Sequence, residues 1–111
     1  LKLFSLDEIP FEPISHDPQL KKKVLARDPV SNVNRISHVV LPLGSSVSEH
    51  SHAAIAEIFF CIRGKSTFSV EGKSFSVRKG HLIIIEPGEL HSITGVMEET
   101  ELLYFHAFAN T

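Results

Sequence analysis

From Asn34 onward, short apolar runs alternate with turn signals. Ile36 to Leu43 is apolar and β-branched and is broken by Gly44-Ser45-Ser46. Ile55 to Ile62 is closed by Arg63-Gly64, and Ser66 to Val70 alternates with period two. Such alternation places every second side chain on one face, as a half-buried strand requires. Glu71-Gly72 signals a tight hairpin, after which Ser74 to Val77 alternates again. Leu82 to Ile85 is a buried strand between Lys79-Gly80 and Pro87-Gly88; His91 to Thr94 and Glu101 to Phe108 complete the series. No stretch sustains a helical period. Strands at this spacing predict an all-β sandwich or barrel, which also removes exposed strand edges.

The first 33 residues differ. Four prolines (Pro10, Pro13, Pro18, Pro29) and the triplet Lys21-Lys22-Lys23 fall here. The region 1–33 is expected to be irregular, with one short strand near Val24 to Ala26 and the lysines in a solvated turn. Residues 34–111 are expected to form the single barrel domain, which suits a chain of 111 residues.

Charge and composition narrow the function. With 11 Lys and Arg against 13 Asp and Glu, there is no basic surplus to neutralise a phosphate backbone, so no nucleic-acid partner is expected. No apolar run approaches the ~20 residues of a membrane helix, so no membrane partner is expected either. Leu1 to Leu6 is followed at once by Asp7 and Glu8, without a small-residue cleavage site, so no targeting segment is expected. The single cysteine, Cys61, cannot form an intrachain disulfide and fits a reducing cytoplasm, which is the expected location.

Seven histidines are the chemical signal. His50 and His52 are two apart in an extended segment, so both rings point the same way. Glu57 begins the next apolar strand, and His91 follows a Pro-Gly turn. Three imidazoles and a carboxylate converging inside a small barrel would make a divalent metal site. The competing reading keeps His50 and His52 on a polar surface loop among Ser48, Glu49 and Ser51.

In its motifs the sequence resembles the cupin superfamily. Gly44, five residues, His50-Ser51-His52, four residues, Glu57, six residues and Gly64 match the first cupin motif at every fixed position. Gly80, five residues, Glu86-Pro87-Gly88, two residues and His91 match the second, with Pro87 one place late and Gly95 where the motif ends in Asn. Residues 1–33 carry no motif. The resemblance implies an antiparallel jelly-roll barrel with His50, His52, Glu57 and His91 as ligands of one divalent transition metal: Mn, Fe, Co, Ni, Cu or Zn.

It further implies a small-molecule ligand or substrate. The expected function is a metal-dependent enzyme of oxygenase (dioxygenase, oxidoreductase) type; the alternatives are an isomerase, epimerase or decarboxylase, or a non-catalytic binding module. Gly44, Gly64 and Gly80 are expected at hairpin turns. Ile55 to Ile62 is apolar at both parities, so a homodimer is expected, with the N-terminal segment as a candidate for exchange between subunits. Cys61 is expected as a small buried hydrophobe, and His106 and His38 as satisfied core or interface histidines. His81, His16 and Glu86 are assigned to exposed or loop positions, and Arg63 to a strand end. The expected ligand is small and partly hydrophobic, because no buried cation is evident.

Overall fold

The period-two runs become strands, but two pairs of them fuse. The computed structural model describes residues 1–109, so residues 110–111 of the expected barrel domain lie outside the described residues. Its strands are β1 (Glu12–Ile14), β2 (Asp17–Val30), β3 (Val33–Leu41), β4 (Val47–His50), β5 (Ile55–Val70), β6 (Lys73–Arg78), β7 (Leu82–Ile85) and β8 (His91–Phe108). A three-residue 3-10 turn, Leu6–Glu8, is the one helical element among the described residues.

All pairings are antiparallel, and the strand order is β1-β2-β3-β8-β5-β6, with β4 also on β8 and β7 also on β5. The fold is an all-β jelly-roll barrel. The long β5 and β8 pair along nearly their whole lengths and join its two ends. Glu71 and Gly72 make the β5–β6 hairpin with φ of 50° and 78°, as a type I′ turn demands.

β5 runs unbroken where two strands separated at Arg63-Gly64 are expected. Gly64 is not at a hairpin; it sits within β5, where the register to β8 shifts repeatedly between Cys61 and Ser66. Its φ is +94°, and a Cβ there would collide with the Glu99 backbone oxygen and lie 2.6 Å from Thr100 Cα. Glycine allows the bulge that bends the strand into the barrel wall.

The irregular reading of residues 1–33 is also corrected. β2 is 14 residues long and pairs with β1 and β3. Its prolines lie near its ends, at Pro18 and Pro29, so the stretch between them keeps its backbone donors. Leu20, Val24 and Ala26 are buried on its inner face.

The core is the inner face of the barrel. Leu20, Val39, Leu41, Phe59, Cys61, Phe68, Val77, Ile85, Ile93, Val96, Leu102 and Tyr104 form one cluster. Phe59 packs edge-on to Phe68 and stacks on Tyr104 at centroid distances of 5.4 and 5.1 Å. Cys61 is fully buried, and burial pushes its thiol pKa up. The outer face of β5 and β7 is apolar as well: Phe60, Ile62, Leu82 and Ile84 are exposed.

Candidate metal centre

Four elements bring the sequence-predicted residues together. β4 ends at His50, which lies opposite His91 at the start of β8. Glu57 is the third residue of β5, on its inner face, with His106 of β8 opposite. His52 lies in the loop between β4 and β5. The backbone N–H of Gly88 donates to the His52 carbonyl at 2.7 Å, so the turn before His91 also fixes His52.

Glu57 is the hub. Its carboxylate is 4% exposed, and Oε1 lies 2.6 Å from His91 Nε2, 3.2 Å from His52 Nε2 and 3.6 Å from His50 Nε2. Oε2 lies 2.8 Å from His106 Nε2. Burial alone would raise the Glu57 pKa, but the imidazoles of His106, His50 and His91 outweigh it and hold the carboxyl well below the usual range. Contact with Glu57 raises the His50 pKa, whereas burial lowers that of His52.

The tautomers carry the chemical argument. His50 Nδ1 is 2.8 Å from the Ser48 carbonyl, and His91 Nδ1 is 2.9 Å from the Glu89 carbonyl. A carbonyl only accepts, so both Nδ1 atoms are the donors. In its neutral form each ring would then turn its Nε2 lone pair toward the Glu57 oxygens. Lone pairs facing a carboxylate need a cation between them, either protons or a metal ion. One carboxylate cannot balance a proton on every surrounding ring, whereas a divalent cation satisfies all of these groups at once.

The spacing is suitable too. One ligand atom from each of His50, His52, Glu57 and His91 lies within 4.8 Å of the others. Donors held ~2.1 Å from one ion sit about 3 Å apart when adjacent and about 4.2 Å when opposite. The set fits a first-row ion after drawing in by a few tenths of an ångström.

The cluster faces a cavity of about 80 Å³. Val39, Phe59, Phe68 and Leu102 give it apolar walls, and Tyr104 adds a hydroxyl. Burial, then the Glu57 charge, pushes the Tyr104 pKa up to about 12, so it stays a protonated donor.

Three residues of the cavity exceed what the sequence reading assigned. His106 touches Glu57 directly; its signal is the inward alternation Leu102, Tyr104, His106 on the strand opposite Glu57. His16 is exposed in the turn between β1 and β2, as a loop position implies, and it also lines the cavity and stacks on His50 at 4.8 Å. Lys22, expected in a solvated turn, is buried and lines the cavity. Its signal was the series Leu20, Lys22, Val24, Ala26, which alternates on one strand face.

Other candidates lie outside the centre. His38 pairs with Glu101 at 2.7 Å. Arg63 pairs with Glu99 and Glu101 at 2.9 and 3.0 Å. Glu86 and His81 are exposed.

A jelly-roll barrel whose inner wall carries a His-rich cluster defines the class. The Cupin domain profile matches residues 37–108, and this chain belongs to the cupin family. It is 32% identical over 71 residues to an oxalate-binding protein of Thermotoga maritima, covering 63% of this chain and 59% of that protein. It is 28% identical over 61 residues to an uncharacterized protein of Methanocaldococcus jannaschii, covering 55% of this chain and 49% of that protein. The match therefore spans less than two thirds of the length of either relative.

Among solved structures, a predicted oxalate decarboxylase from Thermotoga maritima superposes with a TM-score of 0.85 at 24% identity, covering 97% of this chain and 100% of that one. KdgF from Halomonas gives 0.81 at 15% identity, covering 98% and 96%. The Cnp3 cupin domain of Schizosaccharomyces pombe gives 0.78 at 23%, covering 95% and 72%. These likenesses establish the fold. No helix among the described residues is long and apolar enough to cross a membrane.

Proposed function

We propose that this cupin is a metal-dependent protein acting on a small oxygen-chelating ligand, with His50, His52, Glu57 and His91 holding one divalent transition metal ion. The observation that carries the reading is the pair of Nδ1–carbonyl contacts, which direct the Nε2 atoms of His50 and His91 toward the buried Glu57 carboxylate. Nitrogen and oxygen donors without thiolate suit Mn, Fe, Co, Ni, Cu or Zn. Such an ion would supply Lewis acidity and, for a redox metal, oxygen chemistry.

The chain's own residues set the rest. Four protein ligands leave about two octahedral positions free on the cavity side. The walls of Phe59, Phe68 and Leu102 exclude bulk water and strengthen contacts to a chelating oxyanion. Tyr104 offers a donor to such an oxygen. An oxygenase-type reaction is the leading enzymatic reading, while decarboxylation, isomerisation and epimerisation would use the same polarised oxygen.

Non-catalytic binding is a second reading, favoured by the name of the Thermotoga maritima relative, an oxalate-binding protein. The test loads the protein with Mn(II) and follows water-proton relaxation. Exchangeable water should be detected and then displaced by oxalate, and oxygen uptake or CO2 release separates turnover from binding. An ion inaccessible to water would remove the reading.

The exposed Phe60, Ile62, Leu82 and Ile84 support assembly as a homodimer across the β5–β7 face. Sedimentation at micromolar concentration should give twice the 12.3 kDa chain mass. The lone buried Cys61 supports a cytoplasmic location.

A further inference from the structure

Lys22 interrupts an apolar series. The residues of β2 that face the interior, Leu20, Lys22, Val24 and Ala26, are all buried, and Lys22 is only 5% exposed. Lys22 lies opposite Val39 of β3, which lies opposite Leu102 of β8. All three line the cavity of the metal centre. Strand alternation leaves Lys22 no outward orientation, unlike Lys23, whose Nζ donates to the Leu6 carbonyl at 3.0 Å.

An ammonium on the inner face of a barrel favours a counter-charge. The carboxylates whose fields reach Lys22 are Glu12 and Glu57, and both are engaged elsewhere. Both Glu12 oxygens accept from Arg27 Nη2, at 2.7 and 2.8 Å. Glu57 is ringed by four imidazoles. Among the described residues none forms an ion pair or side-chain hydrogen bond with Lys22. Arg35 and Arg27 add further positive field, so the neighbourhood is short of an anion. Burial, then Arg35, holds the Lys22 pKa below the usual lysine range.

We propose that Lys22 is the anion-recognition residue of the cavity and that its ligand is a small carboxylate, with one end at the metal centre and a carboxylate oxygen at the Lys22 ammonium. The inference rests on the metal-binding reading above and names the substrate class for it. Size sets the limit: at the ~30 Å³ that a water occupies in the liquid, about 80 Å³ has room for roughly two or three waters, and so only for a very small acid. The smallest mono- and dicarboxylates, of two or three carbons, fit, and extended chains do not.

The test compares the full-length protein with Lys22→Met, an apolar replacement of similar length. Metal content, oxalate affinity, imidazole affinity and melting temperature are measured, with imidazole as an uncharged metal ligand. The variant should keep its Mn(II) and bind imidazole like the parent, but bind oxalate about 30-fold or more weakly. Without ligand it should melt a few degrees higher, since an unpaired buried charge has been removed. A Lys22 with only a structural role would instead lower the melting temperature and weaken both ligands equally. That result, or unchanged oxalate affinity, overturns the proposal.

If the parent protein takes up no metal, the metal-binding reading fails by itself. Thermal stabilisation of the metal-free parent by oxalate then decides Lys22. Stabilisation that K22M abolishes supports the anion site, and its absence in the parent overturns it.

Discussion

Asp17 accepts both hydrogen bonds that Ser48 can donate: the backbone N–H to Oδ2 at 2.9 Å and the hydroxyl to Oδ1 at 2.7 Å. The Ser48 carbonyl in turn receives His50 Nδ1. A buried carboxylate at the start of β2 thus holds the strand that aims His50, and partners of this kind orient ligands. Asp17→Ala should weaken metal binding by about tenfold. It should also cost about 1 kcal/mol through the lost hydrogen bonds, since the exposed Ser48 donors can turn to water. Metal titration and urea denaturation measure the two effects.

His106 does for Glu57 what Ser48 does for His50. Its contact at Oε2 leaves Oε1 directed at His50, His52 and His91. His106→Phe keeps the ring volume and removes the contact. The expected result is a folded protein with metal affinity lowered by about tenfold. Unchanged affinity in a chelator competition would show that Glu57 is held by its other neighbours.

The metal-free and loaded proteins should respond oppositely to pH. The His50 pKa is raised by Glu57, so its contribution is complete below its unfolded value of about 6.5 and is lost as pH rises through the folded value. The Glu57 pKa is depressed, so its contribution is present above about 4.3 and is lost as pH falls through the folded value. His52, depressed by burial, opposes His50 by favouring higher pH. His50 and His52 together place the metal-free optimum near pH 6.5, with a further loss from Glu57 only below about pH 4.3. A metal ion displaces the His50 proton, so the melting-temperature difference between loaded and free protein should widen from pH 5 to 8. A constant difference would contradict proton displacement.

Two glycines in left-handed conformations should respond differently to alanine. Gly44 has φ +82° and nothing within 4 Å of a new Cβ, so Gly44→Ala should cost about 1 kcal/mol of backbone strain. Gly64 carries the same strain together with collision against Glu99 and Thr100 of β8. Gly64→Ala should cost at least about 3 kcal/mol. Urea unfolding of both variants checks the order.

Much of the barrel was legible because alternation and turn residues act locally. Leu82 to Ile85 is a strand with the expected bounds, although Leu82 and Ile84 are exposed where a buried strand is expected, and Glu71-Gly72 is the expected hairpin. Gly64 misled because one residue type serves both turns and bulges, and only the partner strand decides between them. The N-terminal strand was hidden by its prolines, which lie near its ends. His50, His52, Glu57 and His91 were found through motif spacing. His106 and Lys22 belong to no motif; their place depends on which strand lies opposite, and that pairing is a long-range property of the fold.

The most direct measurement is the metal content of protein purified without chelator, for the parent chain and for His52→Ala and His91→Ala. About one divalent transition metal ion per chain is expected in the parent. Both variants should lose most of the metal, with a lower melting temperature. A metal-free parent that takes up no added ion, or variants that keep full occupancy, would contradict the metal-centre assignment.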